Sequence, residues 1–598
     1  MQEDDAVLKT GKNVIARDVS ALESSSGKAI HEEDAIGSLS GMDRPGVTRS
    51  KLGGGDRFGA GQRIEVPALP GADTNAVQLT TPNTLPIKKG DALLGVFWLR
   101  GPGMVQFLFE KSTDPWTKSV TQGAKATAEW RRIVVPFESA EDYAPGQAMA
   151  SLRLAFGKQT IEVGGWRVYN FEKSKKLEEL VELAAQLTPT GTVNVQINTR
   201  EQRQTMVGLG GNFMGSWRAN GGEPNDPVEQ RTRIVMKPRH ARLGLSLKLF
   251  APEPGIYSER PKTTELLQLA GQLTRENVPI VVSVWEAEKW LTGTVEGKTS
   301  IPEARWNDAI GIFLKFLRLA KAAGARVDYF SFNEPDYGVD IHFSPARMAA
   351  FIKRAVPAFQ KAGFPTKWIA GDTANGMNCV RWTEPQLADP ECAKYLGPLA
   401  FHSWDALTVN EADYEAIAAL AKKYKRPVWC LEAGHDPQLW QKGGDVWASW
   451  ENALQLARAY AKTIYHSQAV VMDYWTYSDN YPLADRNGKF YFAGQVLSKI
   501  ANAFGPGVTI LGHQSESETI SVLAGQTRER ELTLLLVNSG GKGTVALSGL
   551  APYSRRIRRS IYPDGLRPLY LSANFERIRE GKQSIELPAR SIALVTFQ

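Results

Sequence analysis

From about residue 206 to about residue 504 the sequence repeats one unit eight times, an apolar run of strand length followed by an amphipathic stretch of helix length. The runs are MVGLGGNF, HARLGLSL, VPIVVSVW, VDYFSFN, KWIAGD, PLAFHSW, PVWCLE and AVVMDYWTY. Between the third and fourth, Ile310, Phe313, Leu314, Leu317 and Ala320 recur at the spacing that gives a helix one apolar face. Regular alternation of strand and helix demands a parallel sheet covered by its own helices. Eight units in roughly 300 residues predict a closed (β/α)8 barrel, of α/β class. A doubly wound open sheet is the alternative. The Gly-rich segment GLGGNF lacks the GxGxxG spacing and a following helix start, so it reads as a close-packed strand end and not a phosphate turn.

On either side the pattern changes. Residues 1–55 are polar, with SALESSSGKA and KLGGGD, and read as a tail and linker. Residues 56–172 carry short alternating strands broken by Gly and Pro, such as ALLGVFWLR, MVQFLFE and RRIVVPF, which predict a jelly-roll-like β-sandwich. Residues 173–205 give a helical connector, KKLEELVELAAQL, and then VNVQINTRE, a strand expected to join the last module. Residues 505–598 return to strands such as ELTLLLVN and SIALVTF and predict a C-terminal β-sandwich.

Net charge is +7, spread over 71 basic and 64 acidic residues. That permits an anionic partner without demanding one. The densest basic run, SRRIRRS at 554–560, comes with no nucleic-acid fold signature, so no nucleic-acid partner is expected. No apolar stretch reaches membrane-spanning length, so no membrane association is expected either. MQEDDAVLKTGK has no apolar signal region and reads as the start of a mature chain with an added Met. Of three cysteines, Cys430 lies in an apolar run and reads as a buried thiol. Cys379 and Cys392 are spaced to close a short disulfide loop in an exported protein, with two free thiols as the alternative. No CxxC or other metal-ligand spacing is present, and neither metal nor cofactor is expected.

In a barrel of this kind the working residues stand at the C-terminal ends of the strands. The fourth strand ends in DYFSFNEPDYG, where Asn333 and Glu334 follow a buried aromatic run. A carboxylate there is costly to hide and marks a site. The seventh ends in VWCLEAG, placing Glu432 on the rim 98 residues later. Two carboxylates facing each other across a cleft are the minimum equipment for glycoside hydrolysis.

These residues resemble those of a clan A retaining glycoside hydrolase, most closely glycoside hydrolase family 30. The resemblance runs from about 190 to 598 and is carried by NEP, by Glu432, and by TMVGLGGNF, RLGLSLKLFAPEPGIYS, SVWEAEKWL, FHSW and FYFAGQVLSKIANAFGPGVTI. It implies that Glu334 is the acid/base, its pKa raised by apolar neighbours and the second carboxylate, and that Glu432 is the nucleophile and stays ionised. Asn333 would donate to the sugar 2-hydroxyl, and Arg242 would hold Glu432 charged. His402, ending the sixth strand, would hydrogen-bond near the nucleophile, with a satisfied core histidine as the plain alternative. Trp475 would be the sugar platform next to cleavage. Trp285 and Trp404, with Trp290, read equally as platforms or packing. The residues from 56 to 172 resemble a carbohydrate-binding module, with Trp98, Trp116, Trp130 and Trp166 as large aromatics and Trp116, in DPWTKS, the one expected in solvent.

Departures from the family pattern bear on substrate. WEAEKW replaces a Trp-Ser-Pro-Pro-like loop and should bring Glu286 and Glu288 near the cleft. The eighth loop, YSDNYPLADRNG, lacks the paired Arg that grips a glucuronic acid branch. A long loop from Gly371 to Pro398 should wall off one end of the cleft, which favours an exo-type pocket. The resulting expectation is a secreted or periplasmic retaining β-glycosidase acting on a poly- or oligosaccharide. Export is inferred from function alone, and oligomeric state is left open. A transglycosylase with the same residues and a catalytically silent glycan-binding protein are the alternatives.

Overall fold

The computed structural model describes residues 11–15, 37–55, 58–69, 73–188, 190–213, 226–441, 445–478, 480–515, 517, 519–550, 553, 556–563, 570–571, 576–577 and 583–598. Its centre is a closed barrel of eight parallel strands, each drawn from one of the eight apolar runs. They are β1 (Gly208–Phe213), β2 (Ala241–Leu245), β3 (Ile280–Val284), β4 (Tyr329–Phe332), β5 (Lys367–Thr373), β6 (Leu396–His402), β7 (Val428–Ala433) and β8 (Ala469–Tyr474). β1 pairs with β8 and closes the ring. Both faces of these strands are buried, which is why they read as continuous apolar runs and not as alternating ones. The helix Trp306–Ala322 packs through Ile310, Phe313 and Leu317, the face expected from their spacing.

The glycines of GLGGNF answer to close packing. A Cβ on Gly210 would lie 2.3 Å from the His240 carbonyl oxygen and 2.1 Å from a carboxylate oxygen of Asp473. No larger residue fits between β1, β2 and β8.

Ahead of the barrel stand two antiparallel sheets, one of six strands and one of five, with Phe97, Phe107, Phe109 and Phe137 in contact between them. The sheets also correct the reading of residues 1–55 as tail and linker. Lys12–Asn13 pairs with the strand Gln159–Asn170, Ser38–Ser40 with Gln78–Pro82, and Thr48–Gly55 with Phe58–Val66. Polar composition concealed these strands because they lie at sheet edges with few buried apolar side chains.

The helix Leu177–Leu187 follows, then the strand Gly191–Thr205, which joins the C-terminal strands as expected. It runs antiparallel to Thr509–Ser515 and parallel to Gly543–Ser548 inside a continuous ten-stranded sheet. In the strand Leu532–Asn538 of that sheet, Leu534 and Leu536 enter the module's own core while Leu535 and Val537 pack into the barrel's core.

Two further expectations are overturned. Residues 371–398 are not a long loop: they complete β5, form the helices Gly376–Ala388 and Pro390–Ala393, and begin β6. Cys379 and Cys392 are not paired; all three cysteines are buried free thiols. Cys379 is the fourth residue of the first of these helices and Cys392 the third of the second, so each packs within its own helix.

Candidate active site

Seven polar side chains meet where strands β1, β2, β4, β5, β6 and β7 open. Arg242 of β2 is wholly buried and organises them. Its Nη1 donates to Glu432 Oε1 at 2.6 Å and to Asn212 Oδ1 at 3.1 Å. Its Nη2 donates to Asn333 Oδ1 at 2.7 Å and to Asp372 Oδ2 at 3.0 Å. Burial alone would weaken a guanidinium's hold on its proton, but Asp372 and Glu432 more than restore it.

His402 is the second hub. Nδ1 lies 2.9 Å from Glu334 Oε1 and 3.2 Å from Glu432 Oε2, and Nε2 lies 2.9 Å from Asp372 Oδ1. Burial favours the neutral ring, yet Glu432, Asp372 and Glu334 overcome it and raise the imidazole to about 10. His402 is therefore a cation at neutral pH, donating from both nitrogens. The ring is buried, and its contacts are with the two candidate carboxylates and Asp372.

Carboxylate oxygens of Glu334 and Glu432 lie within 4.8 Å of each other and of a His402 nitrogen. Those three atoms are also close enough to share a cation, but His402 would first have to give up the proton its three carboxylates hold in place. Burial pushes Glu432 up from the usual carboxylate range, with Glu334 and Asp372 adding to the shift. His402 and Arg242 pull against it. Trp404 Nε1 donates to Glu432 Oε2 at 3.1 Å, so the sequence candidate Trp404 contacts the carboxylate through its ring N–H. Asp372 is drawn down to about 2: burial acts against its charge, and Arg242 and His402 outweigh it.

Asn333 has its amide oxygen tied to Arg242 while its Nδ2 has no acceptor among the described residues. Trp285 and Trp475 are both buried and stack on each other, centroids 5.5 Å apart at 27°. Both also line the groove beside the carboxylates. Trp290 donates to the Ala251 carbonyl at 3.1 Å and packs against the core. Glu286 accepts from the Ser246 hydroxyl at 3.1 Å, and neither it nor Glu288 lines the groove over the carboxylates, contrary to expectation.

Sequence reasoning missed Asp372 and Asn212. Both carried the signal that found Glu334, a polar residue at the end of an apolar strand, in KWIAGD and GLGGNF. It also missed two aromatics on the groove, Tyr337 and Trp440, which are 64% and 50% exposed. The site opens into one continuous groove of about 2480 Å³ that passes Trp404, Asp405, Leu407 and Thr408 and reaches the N-terminal sandwich. It is not a pocket closed by residues 371–398. The sandwich comes close enough that a Cβ on Gly123 would lie 2.3 Å from the Leu407 carbonyl oxygen.

The comparisons with known proteins bear on the fold. No protein-family model matches the chain. A curated relative, lysosomal acid glucosylceramidase of Mus musculus, is 25% identical over 315 residues, 47% of this chain and 59% of the relative. The chain thus spans less than two thirds of that protein's length. Among solved structures, a family 30 endoxylanase from Clostridium papyrosolvens is covered completely by 68% of this chain, with 16% identity and a TM-score of 0.54. The family 30 subfamily 8 xylanase of Clostridium acetobutylicum matches over the same share of this chain and 99% of its own, with 15% identity and a TM-score of 0.53.

The chain shares its fold with these family 30 structures. In the family 30-like barrel, Glu334 and Glu432 stand on β4 and β7, with Arg242 and His402 bonded to them from β2 and β6. Among the described residues no helix is long and apolar enough to cross a membrane.

Proposed function

We propose that the chain is a retaining glycoside hydrolase of β-linked glycans, working by double displacement. The observation that carries this reading is the pairing of Glu334 and Glu432 across the barrel mouth, both in contact with His402 Nδ1 at 2.9 and 3.2 Å and with one carboxylate oxygen of each within 4.8 Å of the other, a close approach of the kind that retaining enzymes use. Glu432 attacks the anomeric carbon as the bond to the leaving oxygen breaks, and Glu334 gives that oxygen its proton. Water then attacks the same carbon, Glu334 takes the water's proton, and Glu432 leaves.

The charges support this division of labour. Arg242 and His402 supply two positive charges, and Asp372 and Glu432 balance them. Among the described residues Glu334 contacts no cation but His402, at 2.9 Å, whereas Glu432 and Asp372 each also pair with Arg242, and that lighter pairing suits Glu334 to the donor's part. Asn333, its oxygen fixed by Arg242, has an N–H to spare for the sugar 2-hydroxyl, a contact that strengthens in the transition state. Tyr337 and Trp440 offer apolar faces along the groove, which favours a chain substrate over a lone sugar. The N-terminal sandwich, with Trp116 44% exposed, is read as a glycan-binding module that keeps a polymer near the groove. A polymer too large for uptake places the enzyme outside the cytoplasm.

The test is hydrolysis of aryl β-glycosides and β-glycans by the wild type, Glu334→Ala and Glu432→Ala, with azide added and product anomers read by NMR. An α-glycosyl azide from Glu432→Ala and a β-azide from Glu334→Ala establish both roles. Inverted wild-type products would overturn the mechanism. Glycan binding without cleavage would return the chain to the silent-binder reading, and transfer to sugar acceptors in preference to water would make it a transglycosylase.

A further inference from the structure

The groove continues beyond the carboxylates into a stretch that the reaction does not use. There the helix Trp450–Ser467 presents Glu451, Gln455, Arg458, Lys462 and His466, three or four residues apart and therefore on one face. Arg131 and Lys125 of the N-terminal sandwich and Ser517, Thr519 and Arg590 of the C-terminal module line the same groove, with Arg131 near Arg458, Lys125 near Lys462 and Arg590 paired with Glu451.

The acids here are mostly committed. Glu451 pairs with Arg590 at 2.7 Å, and Glu411 pairs with Lys125 at 3.4 Å. Arg458 donates to the neutral Gln455 Oε1 at 2.8 Å, and Lys462 to the Val409 carbonyl at 2.6 Å. Neither forms an ion pair among the described residues. Their electrostatics show the resulting tension. Burial, with Arg458 and Lys125 adding to it against the pull of Glu411 and Asp405, lowers the Lys462 amine to about 8. Burial and then Arg458 lower Arg131 to about 10. Cations gathered at a cost to their own charge are relieved by an anion.

We propose that this stretch of the groove binds an anionic sugar residue, its carboxylate or sulfate ester held by Arg458 and Lys462 with Arg131 on the facing wall. The negative charge of the ligand follows from the cations. Its being a sugar rests on the hydrolase reading and on the unbroken path from the catalytic carboxylates to a wall bearing hydroxyls.

Calorimetric titration of the full chain with a glucuronate tetramer, a neutral glucose tetramer and inorganic sulfate tests this. The same titrations on Arg458→Gln, Lys462→Gln and Arg131→Gln locate the site; the last change lies on the other module and leaves the barrel helix intact. The expected result is at least tenfold tighter binding of the acidic tetramer than the neutral one, weakening with salt, and loss of that preference in the variants. Equal binding of the two tetramers, or variants that keep the preference, would overturn the site. Sulfate binding as tightly as the acidic tetramer through the same residues would overturn the sugar assignment. Because the readout is binding, a chain that holds the acidic tetramer but cleaves no glycan would refute the hydrolase reading and leave the anion site standing.

Discussion

Replacing His402 with Gln probes the charge balance on which the site depends. The imidazole sits among Glu334, Glu432 and Asp372 and is raised from 6.5 to about 10. A group whose folded pKa is raised contributes stability that is fully present below its unfolded pKa and is lost as pH rises through the folded one. At about 1.4 kcal/mol per pKa unit, the proton on His402 is worth about 5 kcal/mol at pH 5.5 and about 1 kcal/mol at pH 9.5. The window of loss is therefore pH 6.5 to 10. Gln fills much of the same volume and can donate one hydrogen bond, but it cannot take up a proton. Urea unfolding of both proteins at steps from pH 5.5 to 9.5 should show the gap between them closing by several kcal/mol as pH rises. Titrating groups outside the cluster are common to both proteins and largely cancel in the difference, while Glu334, Glu432 and Asp372, which His402 contacts, respond with it. A gap that stays constant across this range would show that His402 is not held as a cation and would refute the charge count at the site.

Asp372→Asn should act at the opposite end of the pH scale. Its carboxyl is drawn from 3.8 to about 2, so the wild type should lose about 2 kcal/mol as pH falls from 4 through 2 and the variant should not, as measured by the same unfolding experiment. Trp404→Phe keeps the ring bulk and removes the N–H donated to Glu432 at 3.1 Å. Loss of a hydrogen bond to a charged group, worth about 1.5–3 kcal/mol, predicts a roughly 10- to 100-fold fall in kcat/KM on aryl glycosides, measured by steady-state kinetics. Cys379 and Cys392 are buried and pushed up to about 12, so a thiol-specific chromogenic reagent should find no reactive thiol in the native protein and three in denaturant without reductant.

The barrel was legible because all eight strands are buried on both faces and so stand out as uninterrupted apolar runs. Glu334 and Glu432 were legible because each breaks such a run with a charge. Asp372 and Asn212 break their runs in the same way, but an Asp or Asn after Gly reads equally as a turn residue, and only the ring closure shows both bonded to Arg242. The strands at Ser38–Ser40 and Thr48–Gly55 were illegible for the opposite reason: they are held by backbone pairing at sheet edges and leave little trace in side-chain pattern. The helices within 371–398 were obscured by Pro385 and Pro390. Pro390 stands at a helix start, where its missing N–H costs nothing, while Pro385 lies inside the helix Gly376–Ala388.

Backbone conformation ties Glu334 and its supports together. Glu334 and Asp372 both have left-handed φ, 43° and 64°, where residues with a Cβ are uncommon. Each such residue costs of order 1–3 kcal/mol and persists only where its surroundings over-determine it. Here they do. The Glu334 N–H donates to the Asp372 carbonyl at 3.2 Å, while the Asp372 side chain is held by Arg242 and His402. Glycine would relieve the strain at either position but would remove the carboxylate that gives it a purpose. The two strained residues sit side by side, Glu334 just past the end of β4 and Asp372 on the adjacent β5, and both their carboxylates converge on His402. The turn that lifts Glu334 off the end of β4 and the ion pairs that fix Asp372 on β5 are thus one arrangement, in which electrostatic attraction within the barrel mouth offsets the strain of aiming a carboxylate back across it.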